Sequence, residues 1–216
     1  MNDRETFAAD FRLDATTLAR FDLYAAALTQ AQAEMNLVGP ATLGEVWTRH
    51  FADSAQLLRL GVPGRWLDLG AGAGFPGLVL ALLGAEVDLV EATGKKVRFL
   101  ETMVEMLRLG AVAQVHHARI EEMPPKSVAN ITARALAPLP KLFDCGARFA
   151  AQGTRWILPK GARVEAEVAE ARAGWRFEAT LVPSRTSADG RIVVATNVAR
   201  KGRDAARDRK SEGRRR

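Results

Sequence analysis

The segment WLDLGAGAGFPG, Trp66 to Gly77, holds the residues of this chain best suited to ligand chemistry. A short apolar run carrying Asp68 stops in a loop with Gly70, Gly72, Gly74 and Gly77, and an apolar stretch capable of forming a helix follows from Leu78. The pattern is a strand, a glycine-rich turn and a helix N-terminus. Glycines allow close backbone approach to a ligand and positive φ without a Cβ clash, and the first turn of a helix offers unpaired N–H groups. A nucleotide or nucleoside is the ligand such a turn suits. A second apolar run, residues 87–90, ends in Glu91, whose carboxylate can accept both hydroxyls of a ribose.

Gly72, Gly74 and Gly77 alone spell G-x-G-x-x-G, which dinucleotide-binding oxidoreductases share. Asp68 extends this to D-x-G-x-G-x-G-x-x-G, and in that form it resembles the first motif of the class I S-adenosylmethionine-dependent methyltransferases. Their cofactor has a cationic amino-acid end that a nearby carboxylate offsets. Glu91 fits either cofactor; Asp68 favours the methyltransferase. An NAD-dependent oxidoreductase remains an alternative, although no site for a hydride acceptor is visible. A non-catalytic RNA-binding protein on a methyltransferase fold is another, and the intact loop and Glu91 speak against it.

The elements that must position these residues follow from hydrophobic periodicity. Residues 15–34 read as an amphipathic helix, NLVGP at 36–40 breaks it, and residues 43–60 read as a second helical region. Strands are expected at 65–69, 86–91, 112–116, 128–133 and 154–158, with helices between them at about 76–83, 95–109, 138–150 and 162–173. That alternation means right-handed βαβ units and a parallel sheet. Residues 176–182 and 191–197 read as strands joined only by a loop, hence an antiparallel hairpin at the sheet edge. The expected organisation is an N-terminal helical extension at 1–61 packed on the core, a domain at 62–199 and a disordered basic tail at 200–216.

Composition narrows the classes further. The 216 residues suit one core domain. No apolar run approaches the roughly 20 residues of a membrane span, and the polar, acidic start is unlike a signal peptide, so a cytoplasmic protein is expected. The single cysteine, Cys145, forms no internal disulfide and lies in an apolar stretch, as a small core residue does. From Arg200 to Arg216 nine basic residues face three acids, which accounts for the entire formal net charge of +6. Such a tail suits contact with a phosphate backbone or serves only as a solvated appendage. His116 and His117 have no companion ligands, so no metal site is expected. His50 and Asp53 share one helical turn and read as a functional pair or, the favoured reading, as a structural pair docking the N-terminal helices onto the sheet.

Taken together, the motifs resemble the bacterial 16S ribosomal RNA guanine-N7 methyltransferases, historically called glucose-inhibited division protein B. The resemblance runs from about Asn36 to Gly161. It comprises N-L (Asn36, Leu37), R-H-x-x-D-S (Arg49, His50, Asp53, Ser54), D-x-G-x-G-x-G-F-P-G-L (Asp68 to Leu78) and K-K-x-x-F-L (Lys95, Lys96, Phe99, Leu100). R-x-E-E (Arg119, Glu121, Glu122), R-A-x-A (Arg134, Ala135, Ala137) and K-G (Lys160, Gly161) complete it. The chain departs from the family pattern at Glu91 and Asn130, where aspartates are common, and at Val38, where threonine is frequent.

The resemblance implies a class I α/β methyltransferase fold (Rossmann-like), with a seven-stranded, mostly parallel sheet closed by the hairpin. It implies S-adenosyl-L-methionine as cofactor and 16S ribosomal RNA, or a small-subunit particle, as partner of a monomeric enzyme. It assigns Asp68, Gly70, Gly72, Gly74, Phe75 and Gly77 to the cofactor loop, Glu91 to the ribose, and Ile120 and Glu121 to the adenine through backbone groups. Arg134 would face the cofactor and substrate pocket, the alternative for it being a surface salt bridge. Lys95, Lys96, Lys160, Arg200, Lys201, Arg203, Arg214, Arg215 and Arg216 are the candidate RNA contacts, a solvated helix face being the commoner alternative for Lys95 and Lys96. Guanine N7 carries a lone pair and no proton, so no general base is expected.

Overall fold

The structure is a computed structural model that describes residues 2–202. Seven strands form one sheet in the order β3-β2-β1-β4-β5-β7-β6. They are β1 (Trp66–Leu69), β2 (Val87–Glu91), β3 (Ala113–His117), β4 (Asn130–Thr132), β5 (Arg155–Lys160), β6 (Trp175–Pro183) and β7 (Arg191–Arg200). The first five are parallel, with registers such as Trp66 to Val87 and Trp66 to Asn130. β7 runs antiparallel to both β5 and β6. The sheet is the one expected from the pattern, including its closing hairpin.

The order explains where a ligand must go. After β1 the chain adds β2 and β3 on one side and then returns to place β4 on the other, so the connections from β1 and from β4 leave in opposite directions. Open α/β sheets bind ligands in the crevice this reversal leaves beyond the carboxyl ends of the strands. The helices α4 (Gly77–Leu82), α5 (Gly94–Met106), α6 (Leu139–Gly146) and α7 (Val164–Gly174) cover both faces. Trp66, Val87, Leu89 and Ile157 pack with α4 and α5 on one face, and Leu67, Leu69, Val90, Trp156 and Leu158 pack with α6 and α7 on the other. Because both faces are dry, the central strands are nearly continuous apolar runs.

The N-terminal region differs from its expected form in two respects. A helix α1 (Asp3–Phe11), unforeseen in the polar start, precedes α2 (Ala15–Gln32). Asn2 and Glu5 close a capping box on it. Its one fully buried residue, Phe7, enters an aromatic cluster with Phe11, Phe21, Trp47 and Phe51. The expected second helix is a string of short pieces: tight turns at Pro40–Glu45, wide π-type turns at Val46–Ala52, α3 (Asp53–Ala55) and tight turns again at Gln56–Leu60. At the other end of the chain, β7 runs through to Arg200, so the basic tail does not begin there: Arg200 belongs to the sheet.

Candidate functional site

A cavity of about 1210 Å³ opens beyond the carboxyl ends of the parallel strands. Gly70, Gly72 and Phe75 line it from the loop after β1, Glu91 from the end of β2, Ile120 and Glu121 from the turn after β3, and Arg134 from the end of β4. The topology therefore brings these expected site residues to one place. His50, Asp53 and the loop at 36–39 close it from the N-terminal side, and Ser184 to Arg191 of the hairpin contribute another wall.

Within the glycine loop the four glycines do different work. Gly70, Gly72 and Gly74 have φ of +69°, +58° and +93°, the left-handed region that favours glycine. A Cβ on Gly72 would meet nothing closer than the Gly70 carbonyl oxygen at 3.8 Å, so that position faces open cavity. A Cβ on Gly74 would lie 2.4 Å from Leu78 and 2.6 Å from the Tyr24 hydroxyl, and one on Gly77 would lie 2.2 Å from Leu89. Gly74 and Gly77 thus permit close packing beneath the loop and do not face the cavity. Tyr24, reaching in from α2, donates to the Ala73 carbonyl at 2.6 Å and stacks on Phe75. The Phe75–Pro76 peptide is cis.

Asp68 also corrects its expected place. It is fully buried and does not line the cavity. Oδ2 accepts the Gly77 N–H at 2.8 Å, pinning the start of α4 to β1, while Oδ1 has no partner. Burial pushes its pKa from 3.8 up to about 7, against the opposing pull of the Gly77 N–H and Arg134. Between pH 4 and 7 the unfolded chain has released this proton and the folded chain still holds it, so rising pH costs stability in that window. His50 acts in the opposite sense, because burial beside Arg134 and Arg49 lowers its pKa from 6.5 to about 4. Across most of the same range the unfolded chain protonates His50 while the fold keeps it neutral, and stability rises with pH. Asp68→Asn removes only the first effect. We predict that its urea midpoint gains on that of the parent steadily from pH 4 to 7; a constant difference would mean that Asp68 is ionised throughout.

Glu91 is 8% exposed. Its two oxygens each accept one backbone N–H, from Gly72 at 3.0 Å and Thr93 at 2.8 Å. Lone pairs remain for hydroxyl donors in the cavity, and the same bonds fix the Gly72 amide. Ile120 and Glu121 lie in a tight turn, Ile120–Glu122, whose Glu121 carbonyl accepts from the Arg148 guanidinium.

Arg134 is the centre of a polar network. Its guanidinium donates to the Arg49 carbonyl at 3.1 Å, to Asp53 Oδ2 at 3.4 Å and to His50 Nδ1 at 2.9 Å, and lies 4.7 Å over the Phe75 ring. Burial lowers its pKa, with Asp53 opposing. Asp53 Oδ1 meanwhile accepts from Gln56 at 3.0 Å and from the Thr186 hydroxyl at 2.7 Å, reaching the hairpin. His50 and Asp53, expected to pair with each other, are instead joined through Arg134.

The candidate RNA contacts divide sharply by their partners. Lys95 is exposed at the start of α5, and Lys96 is half-buried at the cavity wall. Lys160 is committed elsewhere: its side chain is 9% exposed, paired with Glu167 at 2.8 Å and bonded to the Ala137 carbonyl at 2.7 Å. Arg200 pairs with Asp144 and lies over Trp175, and Lys201 donates to the Arg172 carbonyl at 2.6 Å. Of the three, Lys160 is held in the fold, while Arg200 and Lys201 stay exposed at the surface. Arg203, Arg214, Arg215 and Arg216 lie outside the described residues. Arg49 and Arg119, which stand in the sequence motifs but not among the expected RNA contacts, are on the cavity wall, and both are exposed.

Other motif residues are structural. The Asn130 side chain staples the linker through the Val62 N–H and carbonyl at 2.9 and 2.8 Å. His116 pairs with Asp88, which Arg65 and Lys126 also approach. Cys145 is buried. Among the described residues no group of three or more His, Cys, Asp and Glu could hold a metal, and no helix is long and apolar enough to cross a membrane.

A seven-stranded sheet of this order, with its ligand cavity over a glycine loop, defines the class I methyltransferase fold. Solved structures share it at low identity. One is a glycopeptide N-methyltransferase complexed with S-adenosyl-L-homocysteine, with a TM-score of 0.56 and 13% identity over 68% of this chain and 86% of that one. Another is an O-methyltransferase from Bacillus cereus, with a TM-score of 0.54 and 17% identity over 90% and 100%. The family described as rRNA small subunit methyltransferase G matches residues 17–192. A ribosomal RNA small subunit methyltransferase G from Methylobacterium sp. (strain 4-46) is 45% identical across 91% of this chain and 96% of its own length. Its counterpart in Rhodospirillum rubrum is 44% identical across 88% and 94%. This chain belongs to the rRNA small subunit methyltransferase G family.

Proposed function

We propose that this chain transfers a methyl group from S-adenosyl-L-methionine to N7 of a guanine in small-subunit ribosomal RNA. The observation that carries the reading is the open Gly72 face beside the Glu91 carboxylate, in a chain of this family. Gly70, Gly72 and Phe75 form the cradle, Glu91 accepts the ribose hydroxyls, and backbone groups of Ile120 and Glu121 hold the adenine. The bound cofactor supplies a methyl group on a sulfonium, which N7 takes with its lone pair as the carbon–sulfur pair returns to sulfur; no proton moves.

What remains for the protein is positioning, and alignment of this sort lowers barriers by about 7–11 kcal/mol. Guanine presents N7 and O6 side by side as acceptors. N7 must stay free to react, so Arg134 donates to O6 alone, using an N–H that Asp53, His50 and Arg49 leave unused. Arg49, Lys96 and Arg119 face the phosphates around the target base. Titration with S-adenosylmethionine and NAD side by side tests the cofactor, and mapping N7-methylguanine in small-subunit RNA from cells with and without the gene tests the reaction. Binding of NAD alone, or an unchanged methylation map, would overturn the reading.

The tail adds long-range attraction. Residues 203–216 carry seven basic and three acidic groups. Ending the chain at Gly202 is expected to weaken RNA binding at low salt and to flatten the log–log salt dependence by roughly 0.7–0.9 for each phosphate that the tail neutralises. Cofactor affinity stays constant. Equal slopes for the two chains would leave the tail no part in RNA binding.

A further inference from the structure

The polar network around Arg134 fixes every proton along one line. A guanidinium has donors and no acceptor, so His50 Nδ1, 2.9 Å from Arg134 Nη2, must accept. A neutral imidazole with Nδ1 bare carries its proton on Nε2. That nitrogen lies 2.9 Å from Thr42 Oγ1, which must then accept, and the Thr42 hydroxyl hydrogen goes to the Gly39 carbonyl at 2.8 Å. The ring is 6% exposed and stacks on Phe75 with centroids 4.9 Å apart. The lowered pKa of His50 agrees with a ring that stays neutral.

We propose that His50, as its Nε2–H tautomer, is a positioning residue for methyl transfer: it holds the Arg134 guanidinium over Phe75, its own tautomer fixed by Thr42. The inference rests on the proposed function, in which Arg134 faces the guanine. The bond to Arg134 does the positioning, and the bond to Thr42 fixes the tautomer that makes it possible. Docking of the N-terminal region does not need this bond, because Val46, Phe51, Ala55 and Leu57 already bury their side chains in the core.

Two substitutions separate the arms of the relay. In His50→Asn the side-chain oxygen takes the place of Nδ1, keeping an acceptor for Arg134 and losing Thr42. In His50→Gln the terminal amide takes the place of Nε2, keeping Thr42 and losing that acceptor. With the full chain and small-subunit RNA, His50→Gln is expected to lower kcat roughly 10- to 100-fold, with cofactor affinity and Tm close to the parent's. His50→Asn should retain most of the parent rate. Equal rates for the two variants, or the reverse order, would overturn the proposal.

A second readout needs no activity. The chain has three histidines, so ring-nitrogen NMR of the cofactor-free protein resolves His50. We expect the Nε2–H form in the parent and a mixture of tautomers in Arg134→Ala. An Nδ1–H ring in the parent, or a tautomer indifferent to Arg134, would refute the relay. A parent chain that transfers no methyl group while His50 shows the expected tautomer would count against the proposed function and leave the relay standing.

Discussion

Gly72→Val is expected to abolish S-adenosylmethionine binding in a chain that still folds. The φ of +58° places Gly72 in the left-handed region, where a side chain costs about 1–2 kcal/mol. For a domain of this size each kcal/mol lowers Tm by roughly 2–4 °C, a tolerable loss. Nothing in the protein obstructs the new atoms, since the space around the built Cβ is empty to 3.8 Å. They project instead into the cavity beside Glu91, where the proposed function puts the ribose. Titration should therefore show affinity lowered by more than about 100-fold, some 2.7 kcal/mol, with a cooperative melt preserved. Gly77→Val provides the contrast: its Cβ would lie 2.2 Å from Leu89 and 2.7 Å from Asp68 Oδ2, so stability falls first. Near-parental affinity in folded Gly72→Val would remove the loop from the cofactor site.

The different fates of these glycines show where sequence ceases to be legible. Their spacing marks a strand–turn–helix, and the alternation of apolar runs with helical stretches determines a parallel sheet, because crossovers have one hand. The reversal between β1 and β4 then places Gly70, Glu91 and Arg134 at one end of the sheet. Which way each residue points is another matter. Asp68 shares a face with Trp66, and Leu67 and Leu69 take the other; in a sheet covered on both sides, each face is apolar and alternation carries no signal. So spacing places a carboxylate next to the loop without revealing that it sits beneath it.

The remaining differences have the same tertiary origin. Lys160 and Arg119 both end up on the cavity wall and both lie at or just past strand ends, yet one is bound to Glu167 and the other is open to solvent. The partner that distinguishes them sits seven residues on, on the first turn of α7, and is reached only once the chain has turned back after β5. Helix α1 buries a single residue completely, Phe7, too thin a stripe for periodicity to register; its capping box is the signal that marks it. The wide turns at Val46–Ala52 depart from the 3.6-residue period itself. Wide turns of this kind are frequent at functional sites, and this one carries Arg49 and His50.

Arg134→Ala should cut methyl transfer by about 100-fold or more while cofactor affinity changes little. The expected asymmetry follows from the bonds. Asp53 keeps Gln56 and Thr186 and His50 keeps Thr42, so the cost to the fold is that of one or two buried acceptors losing a donor, about 1–3 kcal/mol. The cost to the reaction is greater. The guanine loses the donor to O6, and a misplacement of about 1 Å between reacting atoms can cost 10²-fold in rate. Arg134→Lys should not rescue activity. An ammonium group retains the charge beside Asp53 but lacks the planar fork that reaches His50, Asp53 and the cavity at once. Transfer rates and melting curves for the parent and both variants decide the matter. If activity falls only in proportion to stability, or if lysine restores it, Arg134 is a brace between the N-terminal region and the sheet. If the rate collapses in both while the melts move by a few degrees, the fixed geometry of the guanidinium is what aligns the base.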